Sequence, residues 1–191
     1  MLQEGPTAQS LLVLARTGLM AAFITLVSSA YLTRMHVTQK AQGFFQRSFP
    51  SFVFLASIAG MGLLQSRPGS PVFYSVAAGL FLGPLGLCLS IWSVWHLRNS
   101  FSILAEARRT VASGPYRYIR HPLYLGEALT MLGLCLLIGT STALIFWGAI
   151  TGLQLVRARI EETKLARTLS DYAAYRISTP FILPALVTRW R

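Results

Sequence analysis

The sequence predicts an all-α, polytopic membrane protein with about five transmembrane helices, and three observations predict it. Apolar residues make up 53% of the chain and charged ones only 12%, against about 25% charged in a soluble domain. The apolar residues gather into runs near the roughly 17 to 25 residues that a helix needs to cross a bilayer. The basic residues gather between those runs, rich and poor by turns, as loops on alternate sides of a membrane require.

The first run spans about residues 10–32 and carries one charge, Arg16, near enough to an end to snorkel. The second, about 49–65, is short and begins at Pro50. The third, about 72–97, is long and is expected to kink at Gly83-Pro84. The fourth starts at Pro122 and ends near Ile138. Gly139-Thr140-Ser141-Thr142 then turns tightly into the fifth, about 143–160, so the last two spans form an antiparallel hairpin. Residues 157–170 continue the fifth helix beyond the membrane, and 172–184 read as irregular because Pro180 and Pro184 break the pattern. Gly79 and Gly83, and Gly148 and Gly152, have the four-residue spacing that lets helix backbones approach; packing is their expected role. The chain reads as one membrane domain over residues 1–191, without repeats or low-complexity segments.

Charge placement orients the spans. Arg34, Lys40 and Arg47 follow the first, and only Arg67 follows the second. Arg98, Arg108, Arg109, Arg117 and Arg120 follow the third, and the turn after the fourth has none. The tail carries Arg157, Arg159, Lys164, Arg167, Arg176, Arg189 and Arg191. Basic-rich loops stay cytoplasmic, so the N-terminus is expected outside and the C-terminus in the cytoplasm. The net charge of +11 therefore belongs to membrane anchoring, and nucleic acid is excluded as a partner because no continuous basic domain exists. Cys88 and Cys135 lie inside apolar runs and read as small packing residues rather than a disulfide framework. The first ten residues lack a basic n-region, so the first run is expected to remain as a helix.

Chemistry-bearing residues concentrate in two stretches. The first runs from Ser113 to Glu127. Gly114-Pro115 signals a turn, and Pro122 sits where a helix can start without losing a hydrogen bond. His121 thus stands at a helix N-terminus, where free N–H groups and the dipole favour an anion. Tyr124 and Gly126 follow, and the Gly leaves room for a ligand or another helix. An interfacial anchor accounts for such a loop equally well, but Glu127, an ionisable residue just inside a span, is a functional hypothesis by default.

The second stretch runs from Arg157 to Leu165. Arg157 and Glu161 share a helix face, and Glu162 lies about 100° further round. A solvated helix end with local ion pairs is the bland account. However, four of the chain's six acidic residues lie in or near the two stretches, and a tight hairpin brings His121 and Glu161 to the same interface. His36 and His96 stand alone at span ends and read as interfacial. No His/Cys/Asp/Glu cluster has metal-ligand spacing, no Gly-rich phosphate loop is present, and no GxSxG nucleophile appears.

Read together, GPYRYIRHPLYLG and EETKL resemble the signature of the isoprenylcysteine carboxyl methyltransferase and phospholipid N-methyltransferase superfamily of integral membrane methyltransferases. That signature has the form GPYRxxRHPxYxG, then a helical hairpin, then EExxL. DYAAYRISTPFILP is similar to the family's tail pattern, so the likeness covers about residues 113–184. The resemblance implies an S-adenosylmethionine-dependent enzyme acting on a lipophilic acceptor, the carboxylate or amine of a prenylated or lipid-like substrate. Its cofactor pocket would open to the cytoplasm, with access for the acceptor from the bilayer.

The resemblance also implies roles. Arg157 and Glu162 match the family's Arg and Glu five apart and form the expected acceptor-side catalytic pair. Tyr116, Tyr118, Arg120, His121, Pro122, Leu123, Tyr124, Gly126 and Glu161 form the expected cofactor-binding set. The cofactor carboxylate suits the free N–H groups of the helix start at Pro122-Leu123, of which Leu123 supplies the first, or Arg120, the ribose hydroxyls suit Glu161, and Tyr118, Tyr124 and His121 suit the adenine or the sulfonium. A carboxylate acceptor oriented by Arg157 needs no base, whereas an amine acceptor must lose a proton, which Glu162 could assist. Two other classes compete: an NADPH-dependent membrane reductase resembling the sterol reductases, and a non-enzymatic membrane protein.

Overall fold

The computed structural model describes residues 7–35, 44–101 and 110–182. Of the residues named above, His36, Lys40, Arg108, Arg109, Pro184, Arg189 and Arg191 lie outside the described residues. The described chain is all-helical: α1 (Ala8–Met35), α2 (Phe44–Gln65), α3 (Phe73–Phe101), α4 (Pro122–Ile138), α5 (Ser141–Thr168) and α6 (Tyr172–Ser178), with a short 3-10 turn at Gly114–Arg117. Three segments are long and apolar enough to cross a membrane: Ala8–Leu26, Tyr74–Leu97 and Ser141–Arg167. Phe52–Gln65 and Pro122–Ile138 are shorter apolar helices.

Local signals explain most boundaries. Pro122 opens α4, and Gly139 ends it at φ +73°, a left-handed conformation that favours glycine. A Cβ at Gly139 would also strike Pro71 from the preceding interhelical loop, at 2.7 Å from its Cα. Thr140 caps α5 by accepting from the Ala143 N–H at 3.3 Å. Two expectations change. α2 begins at Phe44, so Pro50 lies in its second turn and does not mark its start. Residues 172–178 form α6, stopping before Pro180. α3 runs through Pro84 as one helix.

α4 is the central helix. Leu134, Cys135, Leu137 and Ile138 are fully buried, and Met131, Leu134, Cys135 and Ile138 join Met20, Phe23, Met61, Ala143 and Ile150 in one core cluster. In lipid, apolar contact scarcely distinguishes a neighbouring helix from a lipid tail, so close backbone approach carries association. The α3–α4 seam shows it. A Cβ on Gly133 would lie 2.5 Å from Gly83 N, and one on Gly86 2.4 Å from Thr130 N. Gly79 and Gly83 thus pack as expected, but Gly148 and Gly152 do not: a Cβ at either meets nothing within 4 Å. Cys135 is a packing residue whose Sγ lies 3.9 Å from Met61 Sδ, whereas Cys88 is exposed. Arg16 is buried in the bundle, with its Nε lacking a hydrogen-bond partner among the described residues.

Gly79 opposite Gly133 and Leu137, with Gly86 opposite Gly126 and Thr130, makes α3 and α4 antiparallel. Trp147 Nε1 donates to Ala128 O, and Tyr124 Oη donates to Glu161, so α4 and α5 are antiparallel too. Gly69 N–H donates to Ile138 O at 2.9 Å, putting the α2–α3 connection beside the α4–α5 turn. His121, the 3-10 turn and α6 lie at the opposite end.

Candidate functional site

The site grows from the N-terminus of α4. Gly114 holds φ +58° and the His96 ring packs against it, since a Cβ there would fall 2.4 Å from the ring. That contact seats the 3-10 turn on the end of α3, and Ile119, Arg120 and His121 then lead into α4. His121 is buried and its Nε2 lies 3.2 Å from Glu162 Oε1 on α5. A carboxylate only accepts, so Nε2 carries the hydrogen and Nδ1 is the acceptor nitrogen of the neutral ring. Burial holds the His121 pKa below its ordinary 6.5, against the opposing pull of Glu161 and Glu162. The ring is therefore neutral at pH 7.

Glu162 is the hub, with 2% of its surface exposed. Arg120 Nε lies 2.9 Å from the same Oε1, in an ion pair whose N–H is not aligned for a hydrogen bond. Arg159 Nη1 and Arg176 Nε each stand 4.0 Å from Oε2, which is buried and accepts no hydrogen bond from any described residue. One turn away, Tyr124 Oη donates to Glu161 Oε2 at 2.8 Å, and the Arg157 guanidinium lies 5.6 Å from the centre of the Tyr124 ring.

The segment after α5 closes over this cluster. Arg120 N–H donates to Pro180 O at 2.9 Å and His121 N–H to Phe181 O at 3.2 Å. Arg120 Nη1 donates to Arg176 O at 2.8 Å, and Tyr175 Oη donates to Tyr116 O at 2.7 Å. Asp171 clasps the other side of the signature, accepting from Thr110 N–H at 3.1 Å and Thr110 Oγ1 at 2.9 Å. The Phe181 ring stands edge-on to His121, centroids 4.8 Å apart, and Arg159 lies over it at 4.1 Å. Burial pushes the Tyr175 hydroxyl up to about 12 and raises Tyr172 as well, so both stay protonated donors.

Of the residues singled out in the sequence, Arg120, His121, Tyr124, Arg157, Glu161 and Glu162 come together. Pro122 and Leu123 are buried at the helix start beside them, and Tyr116 is buried with its carbonyl taken by Tyr175. Tyr118 is 61% exposed, outside the cluster. Gly126 faces α3, where a Cβ would lie 2.3 Å from Ser90 Oγ, so its smallness serves helix packing. Arg120, expected as one possible donor for an anion, is already engaged by Arg176 and Glu162, and the His121 N–H just ahead of the helix start is taken by Phe181. Sequence reasoning missed Phe181, Arg159, Arg176 and Gln154; a lone glutamine in an apolar run was the available signal for the last. Among the described residues, no group of three or more His, Cys, Asp or Glu is positioned to hold a metal ion.

A family model described as phospholipid methyltransferase matches residues 74–171, just over half of the chain, from the start of α3 to the start of α6. The chain is also similar to the cobalt-zinc-cadmium resistance protein CzcN of Cupriavidus metallidurans, 34% identical over 113 residues. That alignment covers 56% of this chain and 50% of CzcN, so the chain spans about half the length of this relative.

Proposed function

This chain belongs to the phospholipid methyltransferase family, and from that membership we propose that it is an integral membrane methyltransferase that uses S-adenosylmethionine on a lipophilic acceptor. The observation that carries the reading is the meeting of the two signature stretches on Glu162, which touches both Arg120 and His121 from a neighbouring helix.

The residues present fit the cofactor. The orphaned Glu162 Oε2 is a buried acceptor awaiting a donor such as the cofactor's ammonium group or a ribose hydroxyl. Three guanidiniums, Arg120, Arg159 and Arg176, surround that single carboxylate, leaving local positive charge for the cofactor's carboxylate. Arg159 and Arg176 have side chains 62% and 52% exposed, so they take that end in preference to the engaged Arg120. Tyr124, His121 and Phe181 offer ring surfaces to the adenine or the sulfonium. When bound, S-adenosylmethionine supplies a methyl on a cationic sulfur, which passes to the acceptor's nitrogen or oxygen as the S–C bond breaks to leave a neutral thioether.

The chain's own residues then have defined work. Neutral His121 donates from Nε2 to Glu162 and holds that carboxylate against Arg120. Arg157, kept at the mouth of α4 and α5 by the Tyr124 ring, orients the acceptor head. The segment through Phe181 excludes water, so the reacting groups stay in line without competing solvent. In this reading the chain is one membrane domain crossing the bilayer about five times. α2 and α4 serve as short spans beside the three long ones, and the site lies at the cytoplasmic face with the C-terminus.

Titrating the purified protein with S-adenosylhomocysteine and with NADPH tests the proposal. Micromolar binding of the first and none of the second is expected. Binding of NADPH alone would replace the methyltransferase with a reductase.

A further inference from the structure

One charge inside the bundle has no part in the chemistry above. Arg16 belongs to the apolar segment Ala8–Leu26, yet it is only 8% exposed, on the same buried face of α1 as Met20 and Phe23. A charge that faces the interior of a membrane bundle needs a counter-charge or polar partners. Arg16 has no ion pair among the described residues, and its buried Nε has no hydrogen-bond partner there.

The described carboxylates are held elsewhere. Glu127 accepts from Gln154, Glu161 from Tyr124 and Asp171 from Thr110, while Glu162 pairs with Arg120. The other two acids, Glu4 and Glu106, lie outside the described residues. Thr17, next along α1, turns its hydroxyl back on Val13 O and Leu14 O. An orphaned guanidinium away from water costs free energy that an anionic ligand recovers.

Geometry narrows the anion. Nε–H and the neighbouring Nη–H form one edge of a guanidinium, two parallel donors that match two oxygens of a phosphate. A helical side chain leans toward the start of its own helix, so that edge lies on the Ala8 side of residue 16. Ala8 is eight residues away, about 12 Å along the axis. On that side Leu11, Val13 and Leu14 are exposed, an apolar surface suited to acyl chains. A phospholipid satisfies both features, whereas a free phosphate satisfies only the first.

The place is separate from the candidate site. Leu19, one turn on from Arg16, packs against Gly83, which meets Gly133. Gly133 is eleven residues, about 16 Å, along α4 from Pro122, where that site begins. α1 also lies outside the matched residues 74–171. We propose that Arg16 binds the phosphodiester of a membrane phospholipid, retained against α1 as a fixed constituent and not presented for methyl transfer.

The test uses the full chain in a maltoside detergent, stripped of copurified lipid. Dioleoylphosphatidylglycerol, dioleoylglycerol (the same tails without phosphate) and inorganic phosphate are added separately. The wild type is expected to gain several degrees in thermal midpoint from the first and nothing from the other two. Arg16→Met removes an unpaired buried charge, so without lipid its midpoint is expected to be no lower than that of wild type. It should bind phosphatidylglycerol at least tenfold more weakly, and Arg16→Lys, which keeps the charge but not the fork, several-fold more weakly. Arg167→Gln, at an exposed position, should bind the lipid as wild type does. Equal gains from dioleoylglycerol or from inorganic phosphate overturn the proposal, as does unchanged lipid affinity in Arg16→Met. A lipid-free midpoint of Arg16→Met well below wild type also overturns it, because the guanidinium would then already have a partner in the protein. S-adenosylhomocysteine affinity should stay within twofold in every variant; its absence from wild type would sink the methyltransferase reading and leave the lipid arms standing.

Discussion

The Arg120 guanidinium, just ahead of α4, and the Glu162 carboxylate, late in α5, meet at 2.9 Å inside the protein, with side chains 8% and 3% exposed. His121 shares the same carboxylate oxygen. A buried charge with several partners is as much a structural commitment as a chemical one.

Glu162→Gln therefore does more than alter reactivity. Removing one partner of a buried ion pair costs about 3–5 kcal/mol, since the remaining charge stays buried. We expect a thermal midpoint lower by more than about 5 °C and a clear loss of S-adenosylhomocysteine affinity by calorimetry. A variant unchanged in both measures would remove Glu162 from the centre of the site.

Arg157→Ala separates alignment from folding. Arg157 touches the Tyr124 ring and takes no part in the Glu162 network. Methyl transfer from S-adenosylmethionine into a host lipid extract is expected to fall about 100-fold, with the thermal midpoint and cofactor affinity nearly unchanged. Full transfer activity in the variant would strip Arg157 of its acceptor-side role.

Acidification should loosen the site through His121. Its folded-state pKa lies below the ordinary 6.5, so just below that pH the unfolded chain binds more protons than the folded one. Stability then rises with pH across the window and is lost as pH falls through 6.5 toward the lowered value. Thermal midpoints between pH 5.5 and 7.5 are expected to decline on the acid side in wild type, and less so in His121→Gln. Parallel curves for the two proteins would contradict the assignment.

Two glycine-to-alanine changes should behave oppositely. At Gly133 the added methyl meets the Gly83 backbone, which cannot step aside without parting α3 from α4; a thermal midpoint several degrees lower is expected. At Gly148 it meets open space, and better helix propensity should leave the midpoint equal or slightly higher. Equal effects at the two positions would mean that the α3–α4 seam is not as tight as described.

Legibility followed the range of the signal. α4 can be read to both ends because Pro122 and Gly139 act within their own turn, and the pairing of the signature with Glu161-Glu162 follows from a short connection between two helices. α2 is harder, because a proline near a helix start fits both inside and outside it. α6 and the seat of Phe181 were beyond reach. Seven residues of helix carry little intrinsic preference, and Pro180 and Phe181 are held by main-chain bonds to Arg120 and His121 that no local pattern announces. The tail motif was visible in the sequence, but its partner was not. Gly148 and Gly152 show the converse: spacing identical to a packing pair, with nothing among the described residues within 4 Å of a Cβ there.

The bonds from Arg120 and His121 to the carbonyls of Pro180 and Phe181 set an order of assembly. A ribosome that has completed α5 has delivered the five apolar helices of the described residues, yet the first motif still lacks its roof. That roof forms only once residues 180 and 181 have been made, so a chain cut shortly after Thr168 would keep all of α1 to α5 and leave the Arg120 and His121 N–H groups without these two carbonyls.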